Sequence, residues 1–215
     1  MRRRKKKDAD IKLLSHTNYV LRENIEALKG KWSEKFQNDN PIYIEVGTGK
    51  GKFITTLAKQ NPDINYIAME RKEEVLLKGV EKAEEYNLTN IQFLWTDVSN
   101  ILEYFDVEEI SRVYINFCDP WPKKRWARRR LLHRGFLEKY AQILKKDGEI
   151  HFKTDNSGLF EFSLNEVADC DWKLKNICLD LANNEEIENV TTEYEDKFMS
   201  QGIKIYRLEA IKPQK

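Results

Sequence analysis

The chain has 215 residues, with 37 Lys plus Arg against 36 Asp plus Glu, a formal net charge of +1, 40% hydrophobic and 34% charged residues. That length suits one domain of roughly 100–200 residues, and 5 Trp, 9 Tyr and 10 Phe with only 9 Gly and 5 Pro exclude wholesale disorder and collagen-like repeats. No run approaches the roughly 18 apolar residues of a membrane span, the basic start MRRRKKKDADIKLL lacks the apolar core of a secretory signal, and Cys118, Cys170 and Cys178 show neither an even count nor metal-ligand spacing.

A single domain over 1–215 is therefore expected, cytoplasmic, with reduced cysteines, no metal site and no membrane partner. It starts with a basic arm, 1–14, expected to be flexible. Tyr19, Leu21, Ile25, Leu28, Trp32 and Phe36 then follow helical spacing and predict a helix over 17–36, closed by QNDNP. IYIEV (42–46) reads as a buried strand running into the glycine loop Gly47-Thr48-Gly49-Lys50-Gly51, and Phe53, Ile54, Leu57 and Ala58 predict the helix after it. A second strand (64–70) ends at Glu70, a charged helix runs to about 86, and a third strand (91–95) is followed by Asp97. The fourth strand (111–117) delivers Cys118-Asp119-Pro120-Trp121-Pro122, and the arginine-rich segment behind it is expected to become a helix to 144. KKDG should break that helix before a strand over 148–155. After a helix over 157–168, WKLKNICLDL and IKIYRLEAI read as two last strands around an acidic loop. Alternation of strand and helix, ending in two strands with no helix between them, predicts an α/β fold: a Rossmann-like, seven-stranded, mostly parallel sheet with an antiparallel C-terminal strand and helices on both faces.

In such sheets ligands bind beyond the carboxyl ends of the strands. Here those ends carry Glu45, Gly47, Gly49, Gly51, Glu70, Asp97 and Asp119. G-x-G-x-G differs from the G-x-G-x-x-G of dinucleotide binders, and no Walker lysine motif is present. A carboxylate at Glu70 suits both ribose hydroxyls of either NAD or S-adenosylmethionine. Glu45 beside the loop disfavours a pyrophosphate and favours a cofactor carrying a cationic ammonium and sulfonium. Asp97 is placed to take an adenine amine. Taken singly, each acid reads as well as a cap or loop carboxylate.

Charge is segregated along the chain. Residues 123–134 hold Lys123, Lys124, Arg125, Arg128, Arg129, Arg130 and Arg134 without one acid, whereas 185–196 hold Glu185, Glu186, Glu188, Glu193, Glu195 and Asp196. The basic block is an electrostatic footprint for a polyanion, against the plainer reading of a solvated face. Two prolines around Trp121 make a rigid turn that brings any bound polyanion close to Asp119. Trp126, among the arginines, could stack on a base or fill a helix start. His16, His133 and His151 show no ligand spacing.

EVGTGKGKF, the acids Glu70 and Asp97, the run NFCDPWPKKRWARRRL, FKTD and TTEYEDKF closely resemble the bacterial tRNA (guanine-N7-)-methyltransferase family, from about residue 18 to 209. Three positions depart from that family's usual residues: Trp126 for His, Arg128 for Lys and Cys118 for Ser. The resemblance implies methyl transfer from S-adenosylmethionine to N7 of a guanine in the tRNA variable loop, position 46, leaving S-adenosylhomocysteine and 7-methylguanosine. It implies that Glu45, Glu70, Asp97 and Asp119 meet the cofactor, with Asp119 catalytic. It implies that Lys123, Asp155, Thr192, Glu193, Tyr194 and Glu195 meet the substrate, and that Arg125, Trp126, Ala127, Arg128, Arg129 and Arg130 form the RNA-interaction stretch. Asp155 and Glu195 are candidates to accept from guanine N1–H and N2–H. The protein is expected to act on tRNA as a monomer or homodimer. Alternatives are a methyltransferase for another RNA atom or a protein, a noncatalytic RNA-binding module, and a nicotinamide-dependent oxidoreductase.

Overall fold

A computed structural model describes residues 9–214. Eight strands form one sheet in the order β1-β4-β3-β2-β5-β6-β8-β7. The strands are β1 (Val20–Leu21), β2 (Ile42–Val46), β3 (Asn65–Glu70), β4 (Ile91–Trp95), β5 (Ile110–Asn116), β6 (Leu144–Thr154), β7 (Lys173–Cys178) and β8 (Tyr206–Ile211). Neighbours from β1 through β6 pair in parallel, and β8 runs antiparallel to both β6 and β7. The seven longer strands are the ones the sequence predicts. Their interior members are apolar on both faces, as in β3, NYIAME, where Asn65–Met69 are all buried, because helices cover both sides of a parallel sheet.

The helices are α1 (Ala9–Ser15), α2 (Trp32–Phe36), α3 (Lys52–Gln60), α4 (Glu73–Glu85), α5 (Ile101–Tyr104), α6 (Arg134–Ile143), α7 (Ser157–Asp169) and α8 (Glu193–Met199). Two core clusters lie on opposite faces. One joins Ile44, Val46, Ile67 and Met69 to α5, α6 and α7 residues such as Tyr140 and Phe160; the other joins Tyr66, Ala68 and Phe93 to Ile54, Leu76 and Val80 of α3 and α4. The β2–α3 crossing is close. Gly51 (φ +75) lies so near Gly79 of α4 that a Cβ on Gly51 would stand 2.6 Å from the Gly79 Cα.

Five expectations change. The last two strands, expected around an acidic loop with no helix between them, have α8 between them, because Thr192 caps a helix that starts inside the acidic stretch. The helix over 17–36 is replaced by β1, a 3₁₀ turn at Ile25–Leu28 and the short α2. Asn24 (φ 57) and Gly30 (φ 73) break it, and Val20 instead pairs with Phe93, extending the sheet. Of the arm expected to be flexible, 1–8 lie outside the described residues, whereas Ala9 and Leu13 are buried in a helix that Lys12 joins to Glu81 of α4 at 2.7 Å. The arginine-rich segment is a 3₁₀ helix, Lys124–Arg129, and α6 begins only at Arg134. KKDG is an outward bulge of β6, which already pairs at Leu144 with Ile110 and resumes register at Glu149 with Arg112.

Candidate cofactor pocket and nucleic-acid face

A cavity of about 1050 Å³ opens beyond the carboxyl ends of β2, β3, β4 and β5. Glu45, Gly47, Gly49, Glu70, Asp97, Asp119, Arg128, Arg129, Thr192, Glu193 and Tyr194 are among its lining residues. The glycine loop forms its base. Gly47 and Thr48 donate their N–H groups to Met69 O at 2.8 and 3.1 Å, which ties the loop to β3. Gly47 and Gly49 have φ of +76° and +57°, and nothing lies within 4 Å of where a Cβ would stand on either. Only glycine offers that bare backbone at positive φ without strain.

The acids are held in three different ways. Glu45 is buried, and its carboxylate accepts from Thr48 Oγ1 at 2.5 Å and Asn116 Nδ2 at 2.8 Å. Burial raises its pKa to about 7, against the opposing effects of those two donors and the Lys153 charge. Glu70 accepts from the backbone N–H of Arg71 and Lys72 at 2.9 Å and of Gly49 at 3.2 Å, so β3 is locked to the glycine loop. Asp97 caps the 3₁₀ turn Val98–Asn100 by accepting from Ser99 N at 2.9 Å. Asp119 is exposed to the cavity, with no hydrogen-bond or ion-pair partner among the described residues. Its turn is strained: Phe117 and Trp121 have φ of 50° and 43°, a left-handed region costly for bulky residues.

That turn is braced from the basic segment. Arg130 donates through Nε to Pro120 O at 3.1 Å and through Nη2 to Trp121 O at 3.0 Å, while its guanidinium lies 4.3 Å from the Phe162 ring centre. Trp126 is half-buried and meets Trp121 edge-on at 5.8 Å, with Lys123 and Arg125 each 5.0 Å from its ring. Ala127 is half-buried beside it. Lys123, Lys124, Arg125, Arg128 and Arg129 are exposed, and the last two border the cavity. Cations therefore rim a carboxylate-lined pocket.

On the opposite rim stands α8. Thr192 caps it by accepting from Glu195 N at 2.9 Å, and the Glu195 carboxylate returns to Thr192 N, forming a capping box. Tyr194 stacks on Phe198 at 4.2 Å and approaches Phe117 at 5.1 Å. Its hydroxyl pKa is raised by burial and by the Asp155 carboxylate. Glu195 is fully buried, with both oxygens engaged by Lys153, Asn189 and the Thr192 N–H. It therefore does not face the cavity, and the pairing with guanine considered for it is not available in this geometry. Residues that sequence reasoning missed are Asn116, which holds Glu45, and Lys153, which holds Glu195. The T-x-x-E signature of the cap, Thr192 to Glu195, was the available signal for α8.

Glu149, His151 and Glu209 form a second acidic cluster that could hold a metal ion. Its chemistry points elsewhere, since Arg112, Lys175 and Arg207 ion-pair with those carboxylates. The Cys118 thiol is pushed up to about 12, chiefly by burial, and so remains protonated. His133 accepts from Gly135 N at 3.1 Å as the cap of α6. No helix of the described residues is long and apolar enough to cross a membrane.

Sheet order and pocket together define a Rossmann-like, class I methyltransferase fold. The crystal structure of the 16S rRNA methyltransferase KamB superposes with a TM-score of 0.66 at 17% identity, covering 86% of this chain and 94% of that one. A family model described as a putative methyltransferase matches residues 39–208. A tRNA (guanine-N(7)-)-methyltransferase of Clostridioides difficile (strain 630) is 73% identical over 212 residues, 99% of each chain, and one of Streptococcus sanguinis (strain SK36) is 49% identical over 98% of this chain and 99% of its own. The chain belongs to the tRNA (guanine-N(7)-)-methyltransferase family.

The methyl donor of such enzymes, S-adenosylmethionine, fits the residues present. Bare backbone at Gly47 and Gly49 leaves room for close approach, Glu70 is preoriented by three N–H donors, and the carboxylate lining suits a cation better than a pyrophosphate.

Proposed function

We propose that this enzyme methylates N7 of a guanine in the variable loop of tRNA, with Asp119 as the catalytic carboxylate. The observation that carries the reading is the position of Asp119, exposed in one cavity with the glycine loop and a rim of exposed cations. Guanine N7 has a free lone pair, so no base is needed before attack. Bound S-adenosylmethionine supplies an electrophilic methyl group on its sulfonium.

Catalysis then rests on alignment, for which well-oriented pairs gain roughly 7–11 kcal/mol. As N7 is alkylated the purine becomes cationic, and Asp119, held by a strained turn, offsets that charge. A protonated Cys118 thiol gives no covalent route. Glu45, Glu70 and Asp97 bind the cofactor. Lys123, Arg125, Arg128 and Arg129 contact phosphates, Asp155 and Thr192 to Tyr194 shape the guanine pocket, and Glu195 supports them from below. Arg130 contributes through the Asp119 turn, Trp126 and Ala127 through packing beneath the cations.

The test is incubation with unmodified tRNA and methyl-labelled S-adenosylmethionine, then nucleoside digestion and chromatography. Label is expected in 7-methylguanosine, with kcat reduced about 100-fold or more in Asp119→Ala, the scale of losing a transition-state electrostatic contact. Label at another nucleoside, or wild-type kcat in the variant, would sink the assignment.

A further inference from the structure

The acid-rich stretch borders a site that must admit a polyanion, and its last three carboxylates are each met by a lysine. The innermost is Lys153 on β6, 4% exposed. Its ammonium donates to Glu195 Oε2 at 2.6 Å, Val190 O at 2.9 Å and Asn189 Oδ1 at 3.0 Å. An ammonium has three donors, and all three converge on residues 189–195. Glu195 closes the segment on itself by accepting from Asn189 Nδ2 at 2.7 Å and from Thr192 N at 3.3 Å.

Two outer lysines hold the same segment to the cofactor side. Lys52, the first residue of α3, pairs with Asp196 and donates to Thr191 Oγ1 at 2.8 Å. Lys82 of α4 pairs with Glu193 and also donates to Lys50 O of the glycine loop at 3.0 Å. A buried ion pair is a poor source of stability, because desolvating both charges offsets much of their attraction. What convergent bonds supply is one geometry.

We infer that Lys153 is the positioning residue of the guanine-recognition segment: it clamps residues 189–195 to β6, so that Thr192, Glu193 and Tyr194 stand preset over the cavity before tRNA arrives. The inference rests on the reading above that these residues meet the guanine. Lys52 and Lys82 act as outer stays, and Lys82 joins the segment to the loop that holds the cofactor.

The test replaces both buried charges together, Lys153→Met with Glu195→Gln, which keeps the volumes and leaves no orphan ion. Steady-state kinetics, calorimetric titration with S-adenosylmethionine and amide hydrogen exchange are read on the same preparation at about pH 8, above the Glu45 pKa of about 7, where loss of the Lys153 charge alters the ionisation of Glu45 least. A KM for tRNA raised tenfold or more, faster exchange at 189–196 and a cofactor Kd changed less than threefold are expected. An unchanged KM and exchange, or a cofactor Kd rising in step with KM, overturns the clamp. Should the double variant fail to fold, Asn189→Ala loosens the same clamp from its half-exposed side. A threefold or greater rise in KM is then expected, and no rise overturns it. Tyr194→Ala, which touches none of the three lysines, separates the two readings: a raised KM there with none in the clamp variants rejects the clamp alone, and no change in any of them rejects the substrate role of the segment and the clamp with it.

Discussion

Two runs of like charge flank the cavity, and the fold treats them oppositely. In 123–134, Lys123, Lys124, Arg125, Arg128 and Arg129 are exposed, with no acid partner among the described residues; Arg129 lies 4.8 Å from the Trp121 ring centre. In 185–196, Glu193, Glu195 and Asp196 each end on a lysine, and Glu185, Glu186 and Glu188 are exposed with no basic partner among the described residues. A run of charge in sequence does not say which way it points. Partners from α3, α4 and β6, 42 to 144 residues away in sequence, decide it. The basic run is free to meet phosphate, and the acids nearest the cavity are neutralised before RNA meets them.

The sharpest break in that contrast is Arg125→Gln with Arg128→Gln and Arg129→Gln. Each lost phosphate contact should flatten the dependence of log affinity on log salt by about 0.7–0.9, so roughly 2–3 in all. Fluorescence anisotropy with labelled tRNA between low and moderate salt reads this directly. An unchanged slope would return the arginines to a solvated face. Arg130 and Arg134 are the exceptions within the run: Arg134 pairs with Glu166 and Asp169, and the Arg130 guanidinium is bound to Pro120 O and Trp121 O. Arg130→Gln is expected to leave the slope intact while lowering stability by about 1–2 kcal/mol, the scale of lost charge-assisted hydrogen bonds. It should also lower kcat, because the Asp119 turn loses its brace. A thermal melt beside the salt series distinguishes it from its neighbours.

Sequence reasoning reached the sheet because strand and helix alternate and the interior strands are apolar, and it reached the pocket because Glu45, Glu70, Asp97 and Asp119 all stand at carboxyl ends of strands. It failed where one signal served two structures. The 17–36 spacing suits a helix, yet Gly30 lies inside it, and the outer edge of β4 takes Val20 as a partner. Thr192 to Glu195 carried a capping signature that the surrounding acids obscured. Asn116 and Lys153 stand at the carboxyl ends of β5 and β6, as the four acids do on their strands, but nothing local shows that their partners are Glu45 and Glu195. Such pairings are products of topology alone.

Glu45 sharpens the contrast from the other side. Like Glu195 it is buried, but its carboxylate is bonded to a hydroxyl and an amide rather than to an ammonium. Lys153 and Glu193 act on it through space with opposite sign, and burial prevails, raising its pKa from 4.5 to about 7. A folded-state pKa above the unfolded one means stability that is fully present below about pH 4.5 and lost as pH rises through 7. A cationic cofactor favours the ionised form. Affinity for S-adenosylmethionine should therefore rise up to about tenfold from pH 6 to pH 8, as the ionised fraction grows with a pKa near 7. Binding near pH 7 should release a proton, measurable by calorimetry in buffers of different ionisation enthalpy. Glu45→Gln should flatten both; affinity that falls with pH in the native enzyme contradicts the assignment.

The smallest effect separates the exposed acids from the paired ones. Glu185, Glu186 and Glu188 replaced by Gln remove charges that have no basic partner among the described residues. At roughly 12 Å through water each repels a phosphate by about 0.3 kcal/mol before screening, so tRNA affinity should rise about threefold at low salt. With a Debye length of about 8 Å at physiological ionic strength the gain should vanish there. Lys82→Met with Glu193→Gln instead removes a pair whose charges already cancel, and should leave the salt slope of binding unchanged, any rise in KM being independent of salt. If this second variant gained affinity at low salt as the first does, Glu193 would be repelling RNA in spite of Lys82, and the acidic stretch would act as one uniform charge rather than as an outer half facing water and an inner half locked to the body of the enzyme.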